Sequence, residues 1–238
     1  MKILSFNKSI LLILVSILLF LASCNSGGYK INQDTKTGQT AYYQFKIDFP
    51  QYKGIHENIF NKEMNAYLKK QVFNIAKQSR LICERDNEPN NLLPTLTVTY
   101  EVLQQDEVYV TLRFSTYIDW NNDLSPSQYY DCFNFSVKDG HFIHIQDYLQ
   151  THFSDQERAV RALTRICQLK MFNEDEIFCR SFWKSEKEID VFENFSITSH
   201  DLHLKFDNVI FETNMCGNPE VVFTETELKE AYQEVAKK

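Results

Sequence analysis

The sequence predicts an α+β fold, an antiparallel sheet with packed helices, set behind a cleaved N-terminal signal. Several stretches alternate apolar and polar residues at the period of a strand, among them Tyr43–Phe49, Leu96–Val102 and Val108–Thr116. Between the first two, apolar residues from Ile55 to Ala76 recur every three to five positions, the spacing of an amphipathic helix. The composition agrees: 19 Phe, 12 Tyr and 2 Trp against 6 Gly and 5 Pro suit a well-packed domain better than a linker-rich chain.

The N-terminus sets the compartment. Lys2 and Lys8 precede an unbroken apolar run from Ile10 to Leu21, and small residues follow, as in a secretory signal. The apolar core is shorter than the roughly 20 residues that span a bilayer comfortably. Leu21-Ala22-Ser23-Cys24 resembles the lipobox of bacterial lipoproteins. The resemblance implies removal of residues 1–23 as a lipoprotein signal peptide, acylation of the Cys24 thiol and amine, and a membrane partner reached through that lipid. Residues 24–41 are polar and aperiodic and read as a lipid-anchored flexible tether. A single domain then fills 42–238, with a candidate division into two subdomains near 150. The expected place is the extracytoplasmic side of a bacterial cell envelope. No acidic cluster follows Cys24, which favours the periplasmic face of an outer membrane if the cell has one.

Without Lys2 and Lys8, 23 basic side chains face 32 acidic ones, a net charge of −9. Such a surface repels phosphates, which argues against nucleic acid and suits a basic partner. Six cysteines are present. With Cys24 consumed by lipid, Cys83, Cys132, Cys167, Cys179 and Cys216 face an oxidising compartment, where disulfides among them are expected. The odd number leaves at least one thiol over, and sequence does not choose the pairing. No CxxC appears, so a redox or zinc-knuckle site is disfavoured.

The elements follow in order. Tyr43, Phe45, Ile47 and Phe49 form a half-buried strand ended by Pro50. Ile55, Ile59, Met64, Leu68, Val72, Ile75 and Ala76 face the core from a helix whose lysines (Lys62, Lys69, Lys70, Lys77) stay wet. Asp86–Pro94 is a loop. The two alternating runs around Gln104–Glu107 make a hairpin, Trp120–Ser127 is a loop, and Tyr129–Val137 is a third strand of the same sheet. Lys138-Asp139-Gly140 is a tight turn with glycine where φ is positive, returning to a short strand at Phe142–Ile145. A helix follows Ser154 as N-cap, with Glu157 three residues on. Further helical turns are expected over Glu174–Trp183. Phe195–Thr198 and Leu202–Phe206 form a hairpin, Val221–Phe223 a short strand. Thr224-Glu225-Thr226-Glu227 is a capping box that opens a terminal helix.

This order and wording resemble an extracytoplasmic domain of unknown function. It occurs in the lysozyme-sensing anti-sigma factor RsiV and beside the catalytic domain of the peptidoglycan deacetylase PdaC. The resemblance rests on Phe49-Pro50-Gln51, the helix after Gly54 with Asn58-Ile59-Phe60-Asn61, the strand pair Thr97–Val102 and Val108–Tyr117, and Tyr130-Asp131-Cys132-Phe133-Asn134-Phe135. Ile145–Leu149, Phe195–Thr198 and Leu202–Phe206 continue it. Where many members carry a loop ending in His-Pro or His-Gly, this chain has Trp120–Pro126 with no histidine. The resemblance implies an accessory or sensing module, whose catalytic partner is a separate domain.

No residue pattern argues for catalysis. His141, His144 and Asp147, or His200, Asp201 and His203, could suggest a metal, but residues three apart on a strand point to opposite faces. Cys132, His144 and Asp131 could be assembled into a hydrolytic set, yet no nucleophile elbow accompanies them. Glu174, Asp175 and Glu176 fit a helix start better than a glycosidase pair. No metal or cofactor is expected. Trp120, Tyr129 and Tyr130 are the candidate binding patch, since aromatics dominate interface hot spots. The expected function is a non-catalytic binding or sensing module for lysozyme, another basic protein or a cell-wall glycan. The alternatives are a peptidoglycan-acting hydrolase or deacetylase-associated protein, and a structural envelope lipoprotein.

Overall fold

The computed structural model describes residues 30–86, 93–120, 126–170, 188–206 and 219–236. Cys24, the signal and the helical turns expected over 174–183 lie outside them. Among the described residues no helix is long and apolar enough to cross a membrane.

Among the described residues the α+β architecture has two sheets and four α-helices. The larger sheet has strand order β1-β2-β3-β4-β5-β6. Its strands are β1 (Lys30–Gln39), β2 (Gln44–Lys53), β3 (Thr95–Gln105), β4 (Tyr109–Asp119), β5 (Ser127–Ser136) and β6 (His141–Ile143). All neighbours are antiparallel except β2 and β3, which pair in parallel over Gln44–Ile47 and Thr95–Val98. The sheet is therefore mixed rather than purely antiparallel. The cause is the long helix α1 (Glu57–Asp86), which crosses over between those strands and returns the chain in the same direction.

Strand β1 lies where a tether was expected. Its sequence shows no alternation because as an edge strand it buries neither face, and its register runs unbroken from Lys30↔Lys53 to Gln39↔Gln44. Cross-strand contacts fix it. The Phe45 ring lies on Gly38, where a Cβ would sit 2.5 Å from Phe45 Cζ. Lys36 Nζ lies 4.7 Å from the Phe49 ring centre, and Thr35 Oγ1 donates to Asp48 Oδ1 at 2.7 Å. β2 also runs past Pro50, which does not end it. Pairing with β3 stops at Ile47, so the missing proline N–H faces no neighbour that needs it.

Helix α1 covers one face of this sheet. Its buried stripe is Phe60, Met64, Leu68 and Ile75, whereas Ile55 and Ile59, expected in the stripe, are exposed. The stripe packs on Tyr52, Val98, Leu112, Phe114 and Phe135, and each fully buried large side chain contributes about 1.5–3 kcal/mol. Because strand residues alternate, Asp131, Phe133 and Phe135 look toward α1, while Tyr130, Cys132 and Asn134 look to the opposite face.

That opposite face carries the second sheet, β7 (Phe195–Ile197), β8 (Leu202–Lys205) and β9 (Glu220–Phe223), antiparallel throughout. A second apolar cluster joins this sheet to α2 (Ile145–His152), α3 (Gln156–Lys170) and α4 (Glu225–Val235) through Leu149, Leu163, Phe195, Phe206, Phe223 and Leu228. Asp155, not Ser154, caps α3, its Oδ1 accepting from Arg158 N at 3.0 Å. The Thr224 capping box forms as the sequence predicts: Thr224 Oγ1 accepts from Glu227 N at 3.1 Å and Glu227 Oε2 accepts from Thr224 N at 2.8 Å.

Candidate functional site

Two asparagines dock the second sheet onto the first. Asn134, buried on β5, donates from Nδ2 to Phe195 O at 2.9 Å and accepts at Oδ1 from Ile197 N at 2.8 Å. Asn194 serves the stretch of β5 that β6 leaves bare, since β6 pairs only with Asn134–Ser136. Its Oδ1 accepts from Cys132 N at 2.8 Å and its Nδ2 donates to Tyr130 O at 2.6 Å. One carboxamide thus replaces a missing strand neighbour, and it holds the 188–194 segment away from α1.

The gap so created is a cleft of about 540 Å³. Tyr67, Lys70 and Gln71 of α1 form one wall, Asp190, Glu193 and Asn194 another, and Asp131 lies between with Phe142 and His144 toward the β6 end. Tyr67 and Gln71 are four residues apart and share a helix face. Tyr67 Oη donates to Asp131 Oδ2 at 2.6 Å and Gln71 Nε2 donates to the same oxygen at 3.3 Å. Asp131 Oδ1 has no hydrogen-bond partner among the described residues. Burial lifts the Asp131 carboxyl above the usual carboxylate range, against the pull of the Tyr67 hydroxyl and the Lys70 charge. Burial and the Asp131 charge together raise Tyr67.

The residues singled out from sequence distribute differently. Trp120 is buried in the first core with Nε1 donating to Ser127 Oγ at 3.2 Å. Tyr129 packs on the α1 side, while Tyr130, on the other, lies 4.8 Å beneath Lys205 Nζ. The expected exposed patch of Trp120, Tyr129 and Tyr130 is therefore not assembled, because neighbours on a strand face apart. Cys132 and Asp131 diverge for the same reason. Burial pushes the Cys132 thiol up to about 12, with Arg113 opposing, the reverse of what a nucleophile needs. His144 is an exposed residue whose Nδ1 lies 3.5 Å from Glu193 Oε2, and no hydrogen bond joins it to Cys132 or Asp131. Its backbone N–H donates to Asp147 Oδ2 at 3.1 Å, which caps α2. His203 pairs with Glu220 at 2.9 Å, and Asp201 closes a turn with Thr198. Among the described residues no group of three His, Cys, Asp or Glu side chains is placed to hold a metal ion. Cys132 and Cys167 are free thiols; Cys179, Cys216 and the side chain of Cys83 lie outside the description.

Sequence reasoning missed Tyr67, Gln71 and Asn194. Tyr67 and Gln71 border the apolar stripe of α1, and polar residues in such a position on a long helix are the signal that was there to find.

Two solved structures share this architecture. A DUF3298 family protein from Pseudomonas aeruginosa PAO1 matches with a TM-score of 0.54 and 13% identity, over 84% of this chain and 92% of that one. A member from Bacteroides fragilis NCTC 9343 matches with a TM-score of 0.53 and 12% identity, over 90% of this chain and 100% of that one. The fold is that of DUF3298 proteins. No family model matches the sequence, and no curated protein does.

Proposed function

We propose that the chain is a cell-envelope lipoprotein, anchored through Cys24, whose domain is a non-catalytic binding or sensing module with the Asp131 cleft as its ligand site. One observation carries this reading: an open cleft whose floor presents a carboxylate oxygen, Asp131 Oδ1, that no described residue hydrogen-bonds. The surroundings suit a polar ligand with flat apolar faces. Gln71 and Lys70 supply donors, Asp190 and Glu193 acceptors, and Phe142 a ring. A cell-wall glycan fragment has that chemistry, with hydroxyl and amide donors for Asp131. The Cys132 thiol lies on the opposite face of β5 from Asp131, and burial raises it, so the two do not form a nucleophilic set. The sequence resemblance to the sensing domain of RsiV and the accessory region of PdaC supports the same class of role.

The mature charge of −9 favours a second ligand, a basic protein such as lysozyme. The test is retention of the purified mature protein on peptidoglycan sacculi and on immobilised lysozyme at low and moderate salt, with muropeptide analysis of the sacculi afterwards. Retention on sacculi that Asp131→Leu abolishes is expected. Loss of binding to both supports would remove the reading, and new muropeptides would replace it with the enzymatic one.

A further inference from the structure

The start of β1 determines how the domain can stand on a membrane. Lys30 is already paired with Lys53. If Cys24 carries the lipid, the six backbone steps between it and Lys30 reach at most about 20 Å even when fully extended. The opposite end of β1 lies a further 30 Å or so away, at about 3.3 Å per residue. One end of the molecule is therefore confined near the bilayer.

That end is an ordered surface. It gathers the end of β2, the Asp106–Val108 turn between β3 and β4, and the Lys138–Gly140 turn between β5 and β6. Val137 N donates to Val108 O at 2.9 Å, which joins the last two. His56 locks the first to the third: its ring packs so closely on Gly140 that a Cβ there would lie 2.5 Å from His56 Cγ. His56 itself holds φ at 68°, a left-handed conformation uncommon for a residue with a side chain. This fixed turn presents Ile55 at 72% exposure, and Val108, in the β3–β4 turn at the same end, is 51% exposed. Lys30, Lys53 and Lys138 flank the two apolar residues, and none of them forms an ion pair among the described residues. Of the acids in the β3–β4 and β5–β6 turns, Asp106 and Asp139 are turned back onto their own turns, Asp106 by Val108 N and Tyr109 N and Asp139 by Ser136 Oγ, and Asp201, brought near Gln104 by Ser199, lies in its own turn with Thr198. Glu57 and Glu107 face solvent. Apolar tips ringed by lysines match the interfacial zone of a bilayer, where the tips enter and the lysines stay at the headgroups.

We infer that this end of the sheet, led by Ile55 and Val108, rests on the lipid surface and holds the strands upright from it. The inference rests on the Cys24 anchor. Its consequence is that the domain has a defined orientation instead of swinging on a leash.

Photocrosslinking of the full-length, lipidated protein tests it. Benzoylphenylalanine replaces in turn Ile55, Val108, and two exposed residues at the far end, Tyr42 and Tyr117, which are 44% and 40% exposed. Each variant is reconstituted into vesicles of phosphatidylethanolamine and phosphatidylglycerol containing radiolabelled lipid, and palmitate incorporation is measured in parallel. Severalfold more lipid adduct from positions 55 and 108 than from 42 and 117 is expected. Equal adduct at all four positions, with palmitate present, overturns the orientation alone. Absence of palmitate overturns the anchor and the orientation with it.

Discussion

Replacing Asn194 separates its role as a substitute strand partner from that of an ordinary loop residue. The carboxamide makes two bonds to the bare edge of β5, at 2.8 Å to Cys132 N and 2.6 Å to Tyr130 O, in a part-buried setting. Each such bond contributes about 1 kcal/mol net, and a part-buried group left without a partner costs about 1–3 kcal/mol. Water admitted through the cleft recovers some of that, so Asn194→Ala is expected to destabilise by about 2–3 kcal/mol, a factor of roughly 30–150 in the folding equilibrium. Asn194→Asp sharpens the test. At neutral pH the introduced carboxylate still accepts from Cys132 N, but its second oxygen opposes Tyr130 O, acceptor against acceptor. The protonated form donates there instead, so the folded state raises the pKa of the introduced group above its unfolded value of about 3.9. The sign follows: stability relative to wild type is present below that unfolded value and lost as pH rises through the raised folded one. Urea unfolding at pH 4 and pH 7, followed by fluorescence, reads both effects against wild type at each pH. An Asn194→Ala midpoint within about 0.5 kcal/mol of wild type, the range of ordinary surface changes, would refute the strand-substitute argument. So would an Asn194→Asp deficit that does not shrink on acidification.

Three further outcomes follow from the same contacts. Phe60 is fully buried, with its ring 5.1 Å from Tyr52 and 5.2 Å edge-on to Phe135, so Phe60→Ala is expected to cost about 3–5 kcal/mol by chemical denaturation. Asp131 is held above the usual carboxylate range, so its charge burdens the folded state at neutral pH. Asp131→Asn should raise the melting temperature at pH 7, with the gain fading toward pH 4, while ligand retention weakens; a lowered melting temperature at pH 7 would count against the assigned burden. Glu220 moves the other way. Burial opposes its ionisation, but the His203 hydrogen bond and the Arg113 and Lys205 charges hold its pKa below the ordinary range. Its contribution is present above an unfolded pKa of about 4.3 and lost as pH falls through the depressed folded one. Glu220→Gln should therefore flatten the acid limb of a stability–pH curve, and an unchanged limb would show that the network contributes nothing.

Much of this fold was legible because local chemistry and tertiary context agree where both are strong. The β3–β4 hairpin declares itself because Val98, Val110, Leu112 and Phe114 are buried and, Thr111 apart, their immediate neighbours are not. Gly140 at φ 70° and the Thr224–Glu227 box are decided within a few residues of chain. What stayed hidden depends on partners distant in sequence. β1 is a strand only because β2 offers it an edge, and nothing in Lys30–Gln39 alternates to say so. Ile55 and Ile59 keep helical spacing with Met64, yet the buried face passes through Phe60 instead, since Tyr52 and Phe135 happen to lie there. Trp120 looked like an interface anchor in a polar loop until its ring proved to close the first core.

The cleft is the extreme case of that dependence. Asp131 is bonded across 64 positions to Tyr67, and Asn194 across 62 to Cys132. Asp131 drew notice only beside Cys132 and His144, and the other two are unremarked in their own neighbourhoods: a tyrosine beside a helical stripe, an asparagine before a short strand. Only the shortness of β6 makes them a site, because a sixth strand that ran the full length of β5 would cover Tyr130–Phe133 and leave no gap. The edge left open is the kind that proteins normally blunt to avoid pairing with other chains. Here a single carboxamide blunts it without filling it. A loop or strand in that place would have given more burial and no cleft, so the geometry trades stability for a cavity, as a ligand site does.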